Sequence, residues 1–77
     1  MDKLQQQLTF VGAVIQVERA ALERYRRDWR TAAEHGMHGH CEELESAITK
    51  AERKLLRLDV QREHLQQQIN EPMKETA

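Results

Sequence analysis

Turn-forming and aromatic residues are scarce in this sequence, which has 3 glycines, 1 proline and 3 aromatic side chains in 77 residues. All-β folds need many short strands joined by turns, so this composition favours long helices. The single cysteine excludes an intramolecular disulfide and fits a reducing compartment. No apolar run approaches the roughly 20 residues of a membrane-spanning helix, and the first residues lack a signal-peptide core. We therefore expect a soluble, cytoplasmic protein.

Size and charge argue against further classes of function. The 12 Lys and Arg nearly balance the 13 Asp and Glu, and this neutrality argues against a nucleic-acid binder. A chain this short forms one domain, here 1–77, with little room for a catalytic pocket. No nucleophile–base pair or glycine-rich phosphate loop is present, so we predict no enzymatic activity and no cofactor. We expect the cations around Lys50 to Arg57 to pair with nearby carboxylates such as Glu52 and Asp59.

Two heptad-like series predict two helices, at about 3–35 and 41–70. Each series advances in alternating steps of four and three residues, the spacing of a coiled-coil seam. Asp2 is placed to cap the first helix. The first seam is Leu4, Leu8, Val11, Ile15, Glu18, Leu22, Tyr25, Trp29 and Ala32. The second is Cys41, Leu44, Ile48, Ala51, Leu55, Leu58, Arg62, Leu65 and Ile69.

The glycines at 36 and 39 predict a turn over 36–40, and Pro72 predicts a tail over 71–77. A loop this short brings the two seams face to face. The predicted fold is therefore an all-α, antiparallel, coiled-coil-like two-helix hairpin. With the turn centred near His38, the two polar exceptions, Glu18 and Arg62, lie one helical turn apart across the seam. We predict that they form a pair that sets the register, unless each extends separately to water.

The first helix carries more apolar surface than one facing helix covers. Phe10, Val14, Val17 and Ala21 form a second apolar stripe beside the seam. A small hairpin is also marginally stable alone, so we expect a protein partner or a homodimer to cover this surface. Alternatively, Val14, Val17 and Ala21 are the flanks of an ordinary core. The predicted partner-binding residues are Leu8, Phe10, Val11, Val14, Val17 and Ala21.

Histidines cluster around the predicted turn. His35, His38, His40 and Cys41 lie within seven residues, and imidazole and thiolate are good zinc, nickel or copper ligands. Their spacing matches no standard zinc module, and Cys41 also occupies a seam position. We predict no metal site, and a metal-binding role for this turn is an alternative function.

Three segments resemble a known family. These are Leu4-Gln5-Gln6-Gln7-Leu8, the glycine-bearing reversal from Gly36 to Gly39, and Leu44-Glu45-Ser46-Ala47-Ile48. Over residues 3 to about 58 the layout resembles the small helical-hairpin co-chaperones of bacterial type III secretion. The resemblance implies a cytoplasmic protein that joins a tetratricopeptide-type chaperone to keep the needle subunit monomeric. Our prediction is thus a non-catalytic co-chaperone or assembly adaptor. The alternative within binding proteins is a structural hairpin that self-assembles into a four-helix dimer.

Overall fold

The protein is a two-helix hairpin. The computed structural model describes the backbone of residues 2–75 and the side chains of residues 2–70. Helix α1 covers Lys3–Glu34 and helix α2 covers His38–Glu75. The helices pack antiparallel, so the molecule is a rod with extents of 61 × 18 × 13 Å. The prediction of an all-α hairpin is confirmed.

The first helix begins where the sequence predicts. Asp2 has extended backbone angles, and its carboxylate accepts a hydrogen bond of 3.0 Å from the amide of Leu4. This contact satisfies one of the free amides at the helix start. Every residue of both predicted seams is buried or half-buried. The alternating four-and-three spacing therefore identified the contact face of each helix over residues 4–32 and 41–69.

The chain reverses over residues 35–37, and of the two predicted turn glycines only Gly36 has a left-handed backbone angle. The amide of Met37 donates to the carbonyl of Ala32 at 2.9 Å, and the amide of Gly36 donates to Ala33 at 3.2 Å. These bonds form a Schellman motif, which requires a left-handed residue, and Gly36 has a φ of 67°. The second turn glycine, Gly39, has no such angle and lies inside α2.

Helix α2 is longer than predicted at both ends. It begins at His38 instead of 41, because the carbonyl of Met37 accepts a bond of 3.0 Å from the amide of Cys41 and so opens the helix. It continues through Pro72 to Glu75, where a tail was predicted, although a proline inside a helix removes one amide donor and crowds the carbonyl four residues earlier. Residues 76–77 of the predicted tail lie outside the described residues.

Two apolar clusters join the helices. Near the open end, Val11, Ile15 and Leu65 are buried and half-buried leucines pack around them. Near the turn, Ala32, Cys41 and Leu44 are buried beneath Tyr25 and Trp29. Within residues 2–70 the core is one side chain deep, and only Ile15 is less than 2% exposed.

The register differs from the predicted one by about one helical turn. Glu18 binds Lys54, with 2.9 Å between Oε1 and Nζ, and Arg62 binds Asp59 at 3.1 Å. The predicted Glu18–Arg62 pair was therefore wrong. A turn centred near Gly36 instead of His38 brings residue 54, and not residue 58, opposite Glu18.

Candidate protein-interaction surface

The main candidate site is an exposed apolar band on α1, which we call the α1 stripe and define as Phe10, Val14, Val17 and Ala21. Phe10 is 68% exposed and Val17 is 66% exposed, while Val14 and Ala21 are half-buried. Helix α2 covers the seam beside the stripe and leaves Phe10 and Val17 largely exposed. Phe10 and Val17 are more exposed than the flank of an ordinary core, whereas the half-buried Val14 and Ala21 lie at the edge of the core.

Two residues predicted to bind a partner lie in the core instead. Val11 is 3% exposed and belongs to the cluster with Ile15 and Leu65. Leu8 is half-buried and packs against the same cluster. Both occupy seam positions, and a seam residue cannot face α2 and a partner at once. The candidate partner-binding set is therefore narrower than predicted and consists of the α1 stripe.

The α1 stripe runs between two surface hollows. One lies at the open end of the hairpin, and the other lies at the turn, where Met37 is 51% exposed. Sequence reasoning missed Met37, whose only signal is an apolar residue placed between two turn glycines. The open-end hollow is lined by Lys3, Gln6, Gln7, Phe10, Val11 and Gln61. The turn hollow is lined by Asp28, Thr31, Ala32, Met37 and His40.

A second exposed set lies on the opposite side of the hairpin. Leu56 is 67% exposed and Val60 is 54% exposed. On α2, Leu56 lies one turn after Glu52. The α1 stripe lies next to a different residue of α2, Gln61, because Phe10 and Gln61 line the same hollow. Glu52 and Gln61 are nine residues apart, which is two and a half turns, so their side chains lie on opposite sides of α2. The two apolar sets therefore face away from each other.

The cations around Leu56 are not neutralised as predicted. Lys50, Arg53 and Arg57 line a hollow with Leu56, and within residues 2–70 none of the three forms an ion pair. The nearby carboxylates are engaged elsewhere. Glu52 binds Arg26 on α1 at 2.9 Å, and Asp59 binds Arg62. This side of α2 is therefore a positively charged patch with an exposed leucine at its centre.

The histidine cluster is dispersed by the early start of α2. His38 and His40 lie on the first turn of that helix, Cys41 points into the core at 8% exposure, and His35 ends α1. His40 lies 3.7 Å from Glu43. Over the described part of the chain, no three side chains of His, Cys, Asp or Glu come together in a way that could hold a metal ion.

Trp29 carries one buried polar atom without a partner. The indole Nε1 is buried, and within the described residues it has no hydrogen-bond partner. The Cys41 thiol donates a long contact of 3.9 Å to the backbone carbonyl of Trp29. No other charged or polar side chain among residues 2–70 is buried to this degree. Within residues 2–70 the structure therefore presents exposed surfaces suited to binding rather than a buried reactive group.

Comparison with protein-family models finds no match, and no curated protein and no solved structure matches the chain. Over the described residues, neither helix has an apolar run of the length that a bilayer crossing requires.

Proposed function

We propose that this chain is a non-catalytic protein-interaction module that binds through the α1 stripe. The observation that carries the proposal is the exposure of Phe10 and Val17, at 68% and 66%, on a helix whose seam is already covered by α2. Full burial of such a side chain stabilises a complex by about 1.5–3 kcal/mol. Covering both side chains is thus a substantial driving force for association.

The narrower form of the proposal is a cytoplasmic co-chaperone or assembly adaptor of a bacterial type III secretion system. It is supported by the resemblance of three segments to that family and by a hairpin divided at a glycine turn. In this role the α1 stripe packs into a groove of a tetratricopeptide-type chaperone. The resulting pair then holds the needle subunit as a monomer until export.

The test is co-expression with a type III needle subunit and its tetratricopeptide chaperone, followed by size-exclusion chromatography with light scattering. Val17→Glu is the disrupting variant, because it places a charge in the middle of the stripe. Leu56→Glu is the matched control, since Leu56 is equally exposed, at 67%, on the opposite side. We expect a complex with the wild type and the control, and none with Val17→Glu.

The outcomes test the general interaction role and the narrower secretion role separately. If the wild type forms no complex with these proteins, the secretion role is rejected. If Val17→Glu binds any partner as well as the wild type does, the α1 stripe is not the binding surface and the broader proposal is rejected as well.

A further inference from the structure

The face of α1 that carries the stripe extends beyond it with the same spacing. Lys3 and Gln7 precede Phe10 in steps of four and three, and Arg24 and Asp28 follow Ala21 in steps of three and four. All four of these polar residues are exposed. The complete face, which we call the extended stripe, consists of Lys3, Gln7, Phe10, Val14, Val17, Ala21, Arg24 and Asp28.

We infer that a second copy of the chain covers the extended stripe, with the two α1 helices antiparallel about a twofold axis between Ile15 and Gln16. The inference rests on the proposed function, because it names an occupant for the same surface. Its basis is that the extended stripe is complementary to its own reversed copy in size and in charge. A twofold contact demands this kind of self-complementarity.

The sizes match in the apolar centre. Rotation about the axis places residue n opposite residue 31 − n of the second copy, so Phe10 lies opposite Ala21. The bulky ring therefore meets the smallest side chain of the stripe, and Val14 meets Val17. Beside this centre, on the flank away from the seam, the exposed residues Ala13 and Ala20 are small enough to allow the helices to approach closely.

The charges match at both ends. The same rotation places Lys3 opposite Asp28 of the second copy, and by symmetry this pair forms twice. Within the described residues, neither Lys3 nor Asp28 has an ion-pair partner in its own chain. Arg24 lies opposite Gln7, whose side-chain carbonyl can accept from the guanidinium. A parallel arrangement would instead place like charges together at each end, which disfavours it.

The dimer is expected to be weak and reversible. Its apolar centre has four side chains per copy, which places the interface near the small end of specific protein interfaces. The two lysine–aspartate pairs lie at the rim, where they set orientation more than affinity. A partner protein that binds the α1 stripe would have to displace the second copy.

A charge-swap series tests the orientation. The three variants are Lys3→Asp, Asp28→Lys and the double variant, with mass measured by sedimentation equilibrium at low salt over a wide concentration range. Each single variant creates two like-charge contacts and should weaken the dimer about tenfold, which corresponds to about 1.4 kcal/mol. The double variant restores opposite charges and should return to within a few-fold of the wild type.

Two features make the series decisive. Lys3 and Asp28 are about 38 Å apart along one helix at 1.5 Å per residue, so mutual rescue requires a second copy. Neither single substitution threatens the hairpin, because an acid near the start of α1 and a base towards its end both suit the helix dipole. Circular dichroism of each variant confirms that it is folded.

Each result has a definite meaning. Weakened single variants with a restored double variant support the inference. A wild type that stays monomeric at every concentration overturns it, and so does a dimer that the double variant fails to restore. Binding of a different protein that Val17→Glu abolishes would leave the proposed function intact in either case. Failure of both measurements rejects both ideas.

Discussion

The three glycines allow the same substitution, glycine to alanine, to be compared at three sites where the expected change in stability differs in sign. Gly36 has a φ of 67° at the reversal, whereas Gly12 and Gly39 lie inside helices at ordinary angles. A Cβ added at any of the three meets no heavy atom within 4 Å. Steric clashes therefore do not contribute, and the effect of glycine to alanine depends on backbone conformation alone.

The magnitudes follow from this geometry. Gly12→Ala removes a flexible residue from the interior of α1 and should stabilise the hairpin by about 0.8–1 kcal/mol. Gly36→Ala forces a side chain into the left-handed region and should destabilise it by about 1–2 kcal/mol. The two variants should thus differ by about 2–3 kcal/mol, which is on the order of 10–20 °C in melting temperature for a domain of this size.

The assay is urea and thermal unfolding followed by circular dichroism, at one fixed protein concentration for all variants. Gly39→Ala is the internal control. A five-residue turn over 36–40 predicts that this variant loses stability, whereas a helix that begins at His38 predicts no loss of stability. A stable Gly36→Ala variant, or a strongly destabilised Gly39→Ala variant, would refute the turn geometry described above.

Three further predictions concern charge, an unpaired donor and the exposed leucine. A double-mutant cycle between Glu18 and Lys54, measured by urea unfolding, should give a coupling of about 0.2–1 kcal/mol, and the same cycle between Glu18 and Arg62 should give none; the reverse ranking would contradict the register. Trp29→Phe removes the buried unpaired indole donor and should cost less than 1 kcal/mol in the same assay, whereas Trp29→Ala should cost about 2–3 kcal/mol, because Trp29 is half-buried. Leu56→Glu should leave the melting temperature within a few degrees of the wild type, since the side chain is exposed and the new carboxylate lies among unpaired cations.

The seam residues were predictable because burial follows helical periodicity. All nine positions of each series are buried or half-buried, including Glu18 and Arg62, which the apolar pattern alone would have rejected. A side chain's direction on a helix depends only on its position in the repeat. The exposure of Phe10 and Val17 was predictable for the same reason, since they lie outside the arc that one neighbour covers.

Register was not predictable from periodicity, because a slide of one turn leaves every seam residue on the seam. The register depends on where the turn is centred. Two glycines within four residues are equally compatible with a short turn at the first glycine and with a longer loop that includes both. The left-handed angle is needed only at Gly36, and glycine at 39 is simply tolerated in the first turn of α2. An error of two residues in the turn centre becomes four across the hairpin, which is why Glu18 was assigned the wrong partner.

The thin core links the stability of the hairpin to the covering of its exposed stripe. Within residues 2–70 the two helices share one layer of contacts, and such small scaffolds commonly gain stability by association. A partner that binds only the folded hairpin raises the free energy of unfolding as its concentration rises. If the second copy is that partner, the unfolding midpoint of the wild type must increase with protein concentration, while that of Val17→Glu must not. The same surface would then serve recognition and folding together, and both roles would depend on the exposed side chains of Phe10 and Val17.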